Sequence, residues 1–294
     1  MASSGIRHSK SKWCLIPLIL CFEASALTAQ DTNSQVEPPQ SIIQPVDEGN
    51  PLDPGRFLRN EYQIWTSPFR PSSWKSPTMK KYGIPFLVVA AGLFASDQES
   101  IELLPNTSDQ IKWSGRVSQM GASYTLAGFA GATYLIGKTI HNEHASKTGL
   151  MGLEALAHTE VVVYGLKYMT ARERPNENDH EGRLWKGSDS FPSGHAATSF
   201  AVATVFAREY GDHIIVPIAA YSLATLVTVS RAGAHQHWVS DLFVGGALGF
   251  LIGRYVYKTH HDPNVSGGAA KHFVSRLRPE FGIGENGPAL YWKF

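Results

Sequence analysis

The sequence predicts an all-α protein, a bundle of about six helices followed by a short extended or hairpin tail, and three observations carry this. Apolar stretches with helical periodicity recur from about residue 83 to residue 257. Charged residues are only 17% of the chain, while glycine (27 residues) and alanine are plentiful, a composition suited to closely packed or membrane-facing helices. The connections in the later half are short, which makes successive helices antiparallel neighbours. With 294 residues and 43% hydrophobic content there is enough chain for a sizeable core. A net charge near +1 and the lack of a basic run with interleaved aromatics argue against nucleic-acid binding.

Residues 1–29 read as an export signal: Arg7, Lys10 and Lys12 precede the apolar WCLIPLILCF, and small residues follow at Ala24, Ser25, Ala26 and Ala29. An uncleaved anchor helix is the alternative. Both cysteines, Cys14 and Cys21, lie in this segment, so a processed chain carries no disulfide or thiolate site. Leu20 stands where a lipoprotein signal wants a small residue. Residues 30–80 form a Pro-rich linker containing a short amphipathic helix, RFLRNEYQIW, whose apolar face either covers the main domain or lies on a membrane surface.

The helical domain spans 81–260. Its stretches run over about 83–96, 109–139 with a break near Gly121, 148–169, 194–210, 214–231 and 239–257. Ser108 with Asp109, and Ser146 to Thr148, are candidate N-caps, and Gly211 is a candidate C-cap. In the tail, residues 261–294, alternating apolar residues flank Asn286 and Gly287, a possible hairpin turn.

Three clusters place polar residues where the pattern predicts helix ends. In KYMTARERP, Lys167 lies near a helix C-terminus and Pro175 keeps Arg174 out of the helix; basic residues there are also favoured by the helix dipole alone. In SFPSGHAATSF, Ser193, Gly194 and His195 occupy the first turn of a new helix. Unpaired N–H groups, a hydroxyl donor and a titratable ring there suit an anion, although a plain serine cap would look the same. In SRAGAHQHWVSD, Arg231 ends one helix and another begins near His237 or Trp238. Were His237 and Asp241 to share that helix, their four-residue spacing would let the carboxylate fix the ring, whereas His235 would point elsewhere as a loop histidine.

In an antiparallel bundle these helix ends all fall at one end. Lys167, Arg174, Arg231, backbone donors and two histidines would then line one pocket suited to a tetrahedral oxyanion.

The three segments, Lys167 to Pro175, Pro192 to His195 and Ser230 to Asp241, resemble in order and internal spacing the signature of the type 2 phosphatidic acid phosphatase superfamily, which also includes bacterial class A acid phosphatases and vanadium haloperoxidases. The resemblance covers about residues 148–257. It implies a phosphatase in which His237 attacks phosphorus, Asp241 orients it, and His195 protonates the leaving oxygen and later activates water. It further implies that Lys167, Arg174, Ser193, Gly194 and Arg231 bind the phosphoryl oxygens, with no metal and no cofactor.

Glu154, His158 and Glu160, in the helix leading to Lys167, are read as structural or supporting groups, and His141, His144 and His180 as solvated loop residues. The expected partner is a phosphorylated substrate, a lipid such as phosphatidate or a polyprenyl diphosphate, reached through contact with a membrane on the extracytoplasmic side. The longest uncharged runs, 120–137 and 214–230, are short for a membrane span, so a bundle outside the membrane stays open. Two other functions compete: a vanadate-dependent haloperoxidase, and a non-catalytic anion-binding scaffold. The sequence leaves the oligomeric state open.

Overall fold

Each of the six apolar stretches is helical at its predicted place. The structure, a computed structural model, describes residues 54–177 and 181–261, together with the backbone of 280–284 and 287–291. The expected export signal, both cysteines and His180 lie outside the described residues. The helices are α1 (Pro54–Thr66), α2 (Pro71–Lys75), α3 (Ile84–Ala95), α4 (Asp97–Glu102), α5 (Ser108–Ser118), α6 (Ser123–Thr139), α7 (Glu143–Thr170), α8 (Gly194–Glu209), α9 (Ile215–Gly233) and α10 (Val239–His261). Strands β1 (Glu280–Gly284) and β2 (Gly287–Tyr291) pair antiparallel, Gly284 opposite Gly287, which is the hairpin foreseen around Asn286.

The break foreseen near Gly121 is a 3-10 turn over Gln119–Gly121. A side chain at Gly121 would collide with Val227 of α9 and Ser199 of α8, so the turn sits closely against both helices. The caps differ from expectation. Thr107 caps α5 by accepting from Gln110 N, and Asn142 caps α7 by accepting from Ala145 N, so α7 starts a turn before Ser146. The C-cap of α8 is Tyr210 rather than Gly211.

Helix α8 is the central element, buried along nearly its whole length and packed by α7, α9 and α10. The main core joins Met151, Ala155 and Val162 of α7 to Ala201 and Val205 of α8 and Ile252 and Val256 of α10. Full burial of side chains such as Val205 and Val256 contributes roughly 1.5–3 kcal/mol each. Gly245, Gly249 and Gly253 recur every fourth residue along α10 and let its backbone rest on α8; a methyl at these positions would strike the carbonyls of Ser193, Ala197 and Ala201 in turn. The obstacle at each is backbone, which cannot swing away. Gly249→Ala is therefore expected to destabilise the protein by about 1–3 kcal/mol or more, read as a lowered thermal midpoint against an Ala control at the exposed Leu251.

The linker expected over 30–80 does not extend through its described part. Helix α1 lies on α7 and α10 with Ile64 and Trp65 against the core, which settles its apolar face in favour of packing. Asn60 Nδ2 donates to Glu154 Oε1 at 3.2 Å, and His158 Nδ1 meets Glu61 Oε1 at 2.6 Å with Phe57 stacked on its ring. His260 Nε2 meets Glu154 Oε2 at 2.7 Å. Glu154 and His158 thus tie helices together, as expected of them, and Glu160 is bonded to Ser123 Oγ of α6. His144 is not a solvated loop residue; it lies in the first turn of α7 and contacts Glu209 Oε2 at 3.0 Å.

Helices α9 and α10, 19 and 23 residues long, are long and apolar enough to cross a membrane. Large apolar side chains stand exposed along the outer faces of α3, α6 and α9, among them Val88, Leu135, Ile218 and Leu226.

Candidate active site

Helices α7 and α9 end, and α8 and α10 begin, at one end of the bundle, which brings the three sequence clusters together. The segment from Asp189 to Ser193, entering α8, is laced to all of them. Lys167 Nζ donates to Asp189 O at 2.7 Å, Thr170 Oγ1 to Phe191 O at 3.0 Å, and Ser193 N to Asp241 O at 3.1 Å.

His237 precedes α10 instead of sharing it with Asp241, and this corrects the expected geometry. Its Nδ1 lies 3.8 Å from Asp241 Oδ2, an ion-pair neighbour beyond hydrogen-bond reach. The ring is held instead by Ser190, whose carbonyl accepts from His237 Nδ1 at 2.8 Å. A carbonyl can only accept, so Nδ1 carries the proton and Nε2 keeps its lone pair. Asp241 acts on that serine: Oδ2 accepts from Ser190 Oγ at 2.5 Å and, as a cap of α10, from Trp238 N at 3.0 Å. The carboxylate therefore orients the histidine through Ser190. Burial foremost, and then the charges of Arg231 and Arg174, push the His237 ring down to about 4 against the opposing pull of Asp241, so it is neutral near pH 7.

Behind Asp241 lies a residue that sequence reasoning passed over. Arg172, only 2% exposed, donates from Nη1 to Asp241 Oδ1 at 2.6 Å and to Ser240 Oγ at 2.8 Å, and from Nη2 to Asp97 Oδ2 at 2.8 Å. Asp97, in α4, also accepts from Ser240 N at 2.9 Å and from its hydroxyl. Phe94 covers the guanidinium at 3.9 Å. The partners span 143 positions of sequence, a separation that leaves no local pattern to find.

The groups expected to bind an anion divide into two sets. Arg231 Nη1 donates to Ser118 Oγ at 3.3 Å, while its Nε and the hydroxyl of fully buried Ser193 have no hydrogen-bond partner. Buried donors without partners are costly, and these two, beside the other cations, are candidates to bind an anion. Around Gly194 only Val163 would meet an added methyl, at 3.6 Å, so the backbone at the start of α8 is open to close approach. Lys167 and Arg174, by contrast, are engaged by Asp189. Its Oδ1 accepts from Arg174 Nε at 2.8 Å and lies 2.7 Å from Nη2, and its Oδ2 lies 3.1 Å from Lys167 Nζ. Gln236 accepts from Arg174 Nη1 at 2.9 Å.

His195 is half-buried in this cluster of cations. Burial first, then Arg231, His237, Lys167 and Arg174, push it down to about 3. His235 turns away to Pro105 O at 3.2 Å, as expected of a loop histidine. Among the described residues no group of three or more His, Cys, Asp or Glu is arranged to hold a metal ion. The arrangement gathers a neutral imidazole, three cations and two unpartnered donors at one end of the bundle, a set of groups suited to a tetrahedral oxyanion.

The chain is similar to known proteins over this region. Residues 149–265 match the family model of the PAP2 superfamily. The chain is 38% identical to lipid A 1-phosphatase of Porphyromonas gingivalis over 31% of its own length and 19% of that protein's. It is 26% identical to lipid phosphate phosphatase 1 of Arabidopsis thaliana over 53% of its length and 59% of the relative's. The chain thus spans less than two thirds of either curated relative. A crystal structure of a transmembrane PAP2-type phosphatidylglycerolphosphate phosphatase from Bacillus subtilis superposes with a TM-score of 0.46 at 23% identity, covering 59% of this chain and 90% of that one.

Proposed function

Residues 149–265 belong to the PAP2 superfamily, and from that premise we propose that this protein is a phosphatase acting on a lipid phosphate through a phosphohistidine at His237. The observation that carries the reading is the clustering of Lys167, Arg174 and Arg231 around His195 and His237, with two unpartnered buried donors beside them and His237 held through Nδ1 by Ser190 O.

The phosphoryl group of the substrate lies against Arg231 Nε, Ser193 Oγ and the N–H groups opening α8, with Lys167 and Arg174 on its remaining oxygens. His237 Nε2 attacks phosphorus; the P–N bond forms as the P–O bond to the alcohol breaks, and His195 delivers the proton that the departing oxygen needs. In the second step water attacks the phosphorus, His195 takes its proton, and the P–N electron pair returns to His237. We further propose that no metal takes part, because three cations already balance the phosphoryl charge.

His195 is neutral in the empty site and needs a proton before it can act as an acid. Burial foremost, and then the neighbouring cations, hold its pKa down; a bound dianion offsets the cations, so binding raises it. Tungstate, a tetrahedral dianion that carries no proton near neutrality, is expected to bind with net proton uptake at pH 6–7. Calorimetry in buffers of different ionisation enthalpy reads this directly, and proton release on binding would contradict it.

A lipid substrate is supported by an apolar cleft of about 450 Å³ between α6, α8 and α9, lined by Leu126, Phe129, Phe206, Ile215, Leu223 and Val227. The cleft is separate from the polar site but adjoins it: Val227 lies one helical turn before Arg231 and Ser199 one turn after His195. Both relatives described above are named as phosphatases of lipids. We place the protein at a membrane, with α9 and α10 as its candidate spanning helices.

The test is phosphate release by the purified full-length chain in detergent from phosphatidate, a polyprenyl diphosphate and a soluble aryl phosphate, with and without EDTA. Release from a lipid phosphate faster than from the aryl ester, unchanged by EDTA, is the expected result. Loss of turnover in EDTA contradicts the metal-free mechanism, and vanadate-dependent halide oxidation in place of phosphate release would make the protein a haloperoxidase.

A further inference from the structure

Asp189 is an acidic side chain bonded to the cationic groups of both Lys167 and Arg174, and the mechanism above does not use it. Its carboxylate is bound by both Lys167 and Arg174, occupying the donors that the phosphoryl oxygens need, while Arg231 Nε and Ser193 Oγ have no hydrogen-bond partner. It is also placed to leave. The side chain is 57% exposed and can rotate into water, whereas Lys167 stays anchored without it through the Asp189 carbonyl, at 2.7 Å. Arg174 likewise keeps Gln236, at 2.9 Å. The two cations thus have second anchors that hold them in place when the carboxylate swings out.

We propose that Asp189 is an affinity-determining residue, an internal carboxylate that fills half of the phosphate cradle and is displaced by the phosphoryl group of the substrate. This rests on the phosphatase reading. The carboxylate is fully ionised at working pH, since Lys167 and Arg174 hold it down to about 2 against its partial burial, so the competition persists across the neutral range. Substrate binds to the fraction of sites in which Lys167 and Arg174 are free, and its apparent affinity is reduced by that fraction. A dianion near an ionised carboxylate also meets like-charge repulsion, which acts in the same direction. The consequence extends to product: inorganic phosphate, which has no lipid tail to retain it, is expelled as Asp189 returns to the cations.

Direct binding of tungstate to the purified full-length protein, by calorimetry at fixed ionic strength and pH 7, compares wild type with Asp189→Asn and Asp189→Ser. Both variants are expected to bind about five- to ten-fold more tightly, with inorganic phosphate inhibiting turnover at correspondingly lower concentration and KM falling in step. Equal or weaker binding, or a fall in kcat with no gain in affinity, makes Asp189 a support for Lys167 and Arg174 and overturns the proposal. The underlying phosphatase reading fails separately, if wild type releases no phosphate from the lipid substrates and binds no tungstate at all. The serine variant, isosteric with neither carboxylate nor amide, keeps the test valid should the asparagine amide itself bridge the two cations.

Discussion

His237→Ala is expected to lower kcat for phosphate release by about 10⁴-fold or more, because the group proposed to form the bond to phosphorus is gone. The deletion leaves Ser190 O without its donor, a cost of roughly 1–3 kcal/mol, so helicity and thermal midpoint must be recorded beside the kinetics. The neighbouring histidine supplies the control. His235 is bonded to Pro105 O outside the pocket, and His235→Ala should keep kcat within about two-fold of wild type, the range of a surface substitution. Retained turnover in His237→Ala, with the fold intact, would end the mechanism.

The second large effect falls on stability. Arg172→Met removes the cation shared by Asp241 and Asp97 and leaves two buried carboxylates, 0% and 3% exposed, facing one another's hydrogen-bond partners. Breaking such a pair typically costs about 3–5 kcal/mol. A lysine there should recover little, since an ammonium cannot present the fork that reaches both acids at once. Adding Asp97→Asn to Arg172→Met should restore part of the loss by removing one stranded charge. Thermal unfolding of the four proteins of this cycle checks the coupling, and strict additivity would show that Arg172 and Asp97 act independently.

Much of this was legible from periodicity and spacing. The six apolar stretches, the break at Gly121 and the alternation of helix ends that gathers Lys167, Ser193, Arg231 and His237 follow from local patterns, because amphipathic period and Pro175 or Pro192 punctuation are local facts. The supporting groups of the site were not legible. Arg172 meets Asp241, and Asp97 meets Arg172, from different parts of the chain, and a buried arginine in a short polar loop looks no different from a solvated one until the fold is known. Asp189 and Ser190 sit in a loop whose course follows from hydrogen bonds to α7 and α10, which no pattern encodes.

The relation of His237 to Asp241 shows how a correct pair can be given the wrong contact. Four-residue spacing implies a shared face only if both residues are helical. Here the carboxylate spends one oxygen on the N–H of Trp238, which starts α10 after the histidine and transfers the orienting task to Ser190. Helix α1 posed a similar choice: its apolar stripe was plain in RFLRNEYQIW, but the partner was not, and Glu61 with Asn60 shows it to be the α7 and α10 surface.

The central claim is a covalent phosphoryl group on His237, and trapping it is the most direct test. His195→Ala removes both the proposed acid of the first step and the proposed base of the second, so with an aryl phosphate whose leaving group needs no proton the intermediate should form and accumulate. Rapid acid-free quenching of this variant with such a ³²P-labelled aryl phosphate, followed by alkaline proteolysis and peptide mapping, should place the label on the peptide containing His237 as an alkali-stable, acid-labile phosphoramidate. Label on another residue, or a full turnover with none bound to protein, would contradict the account.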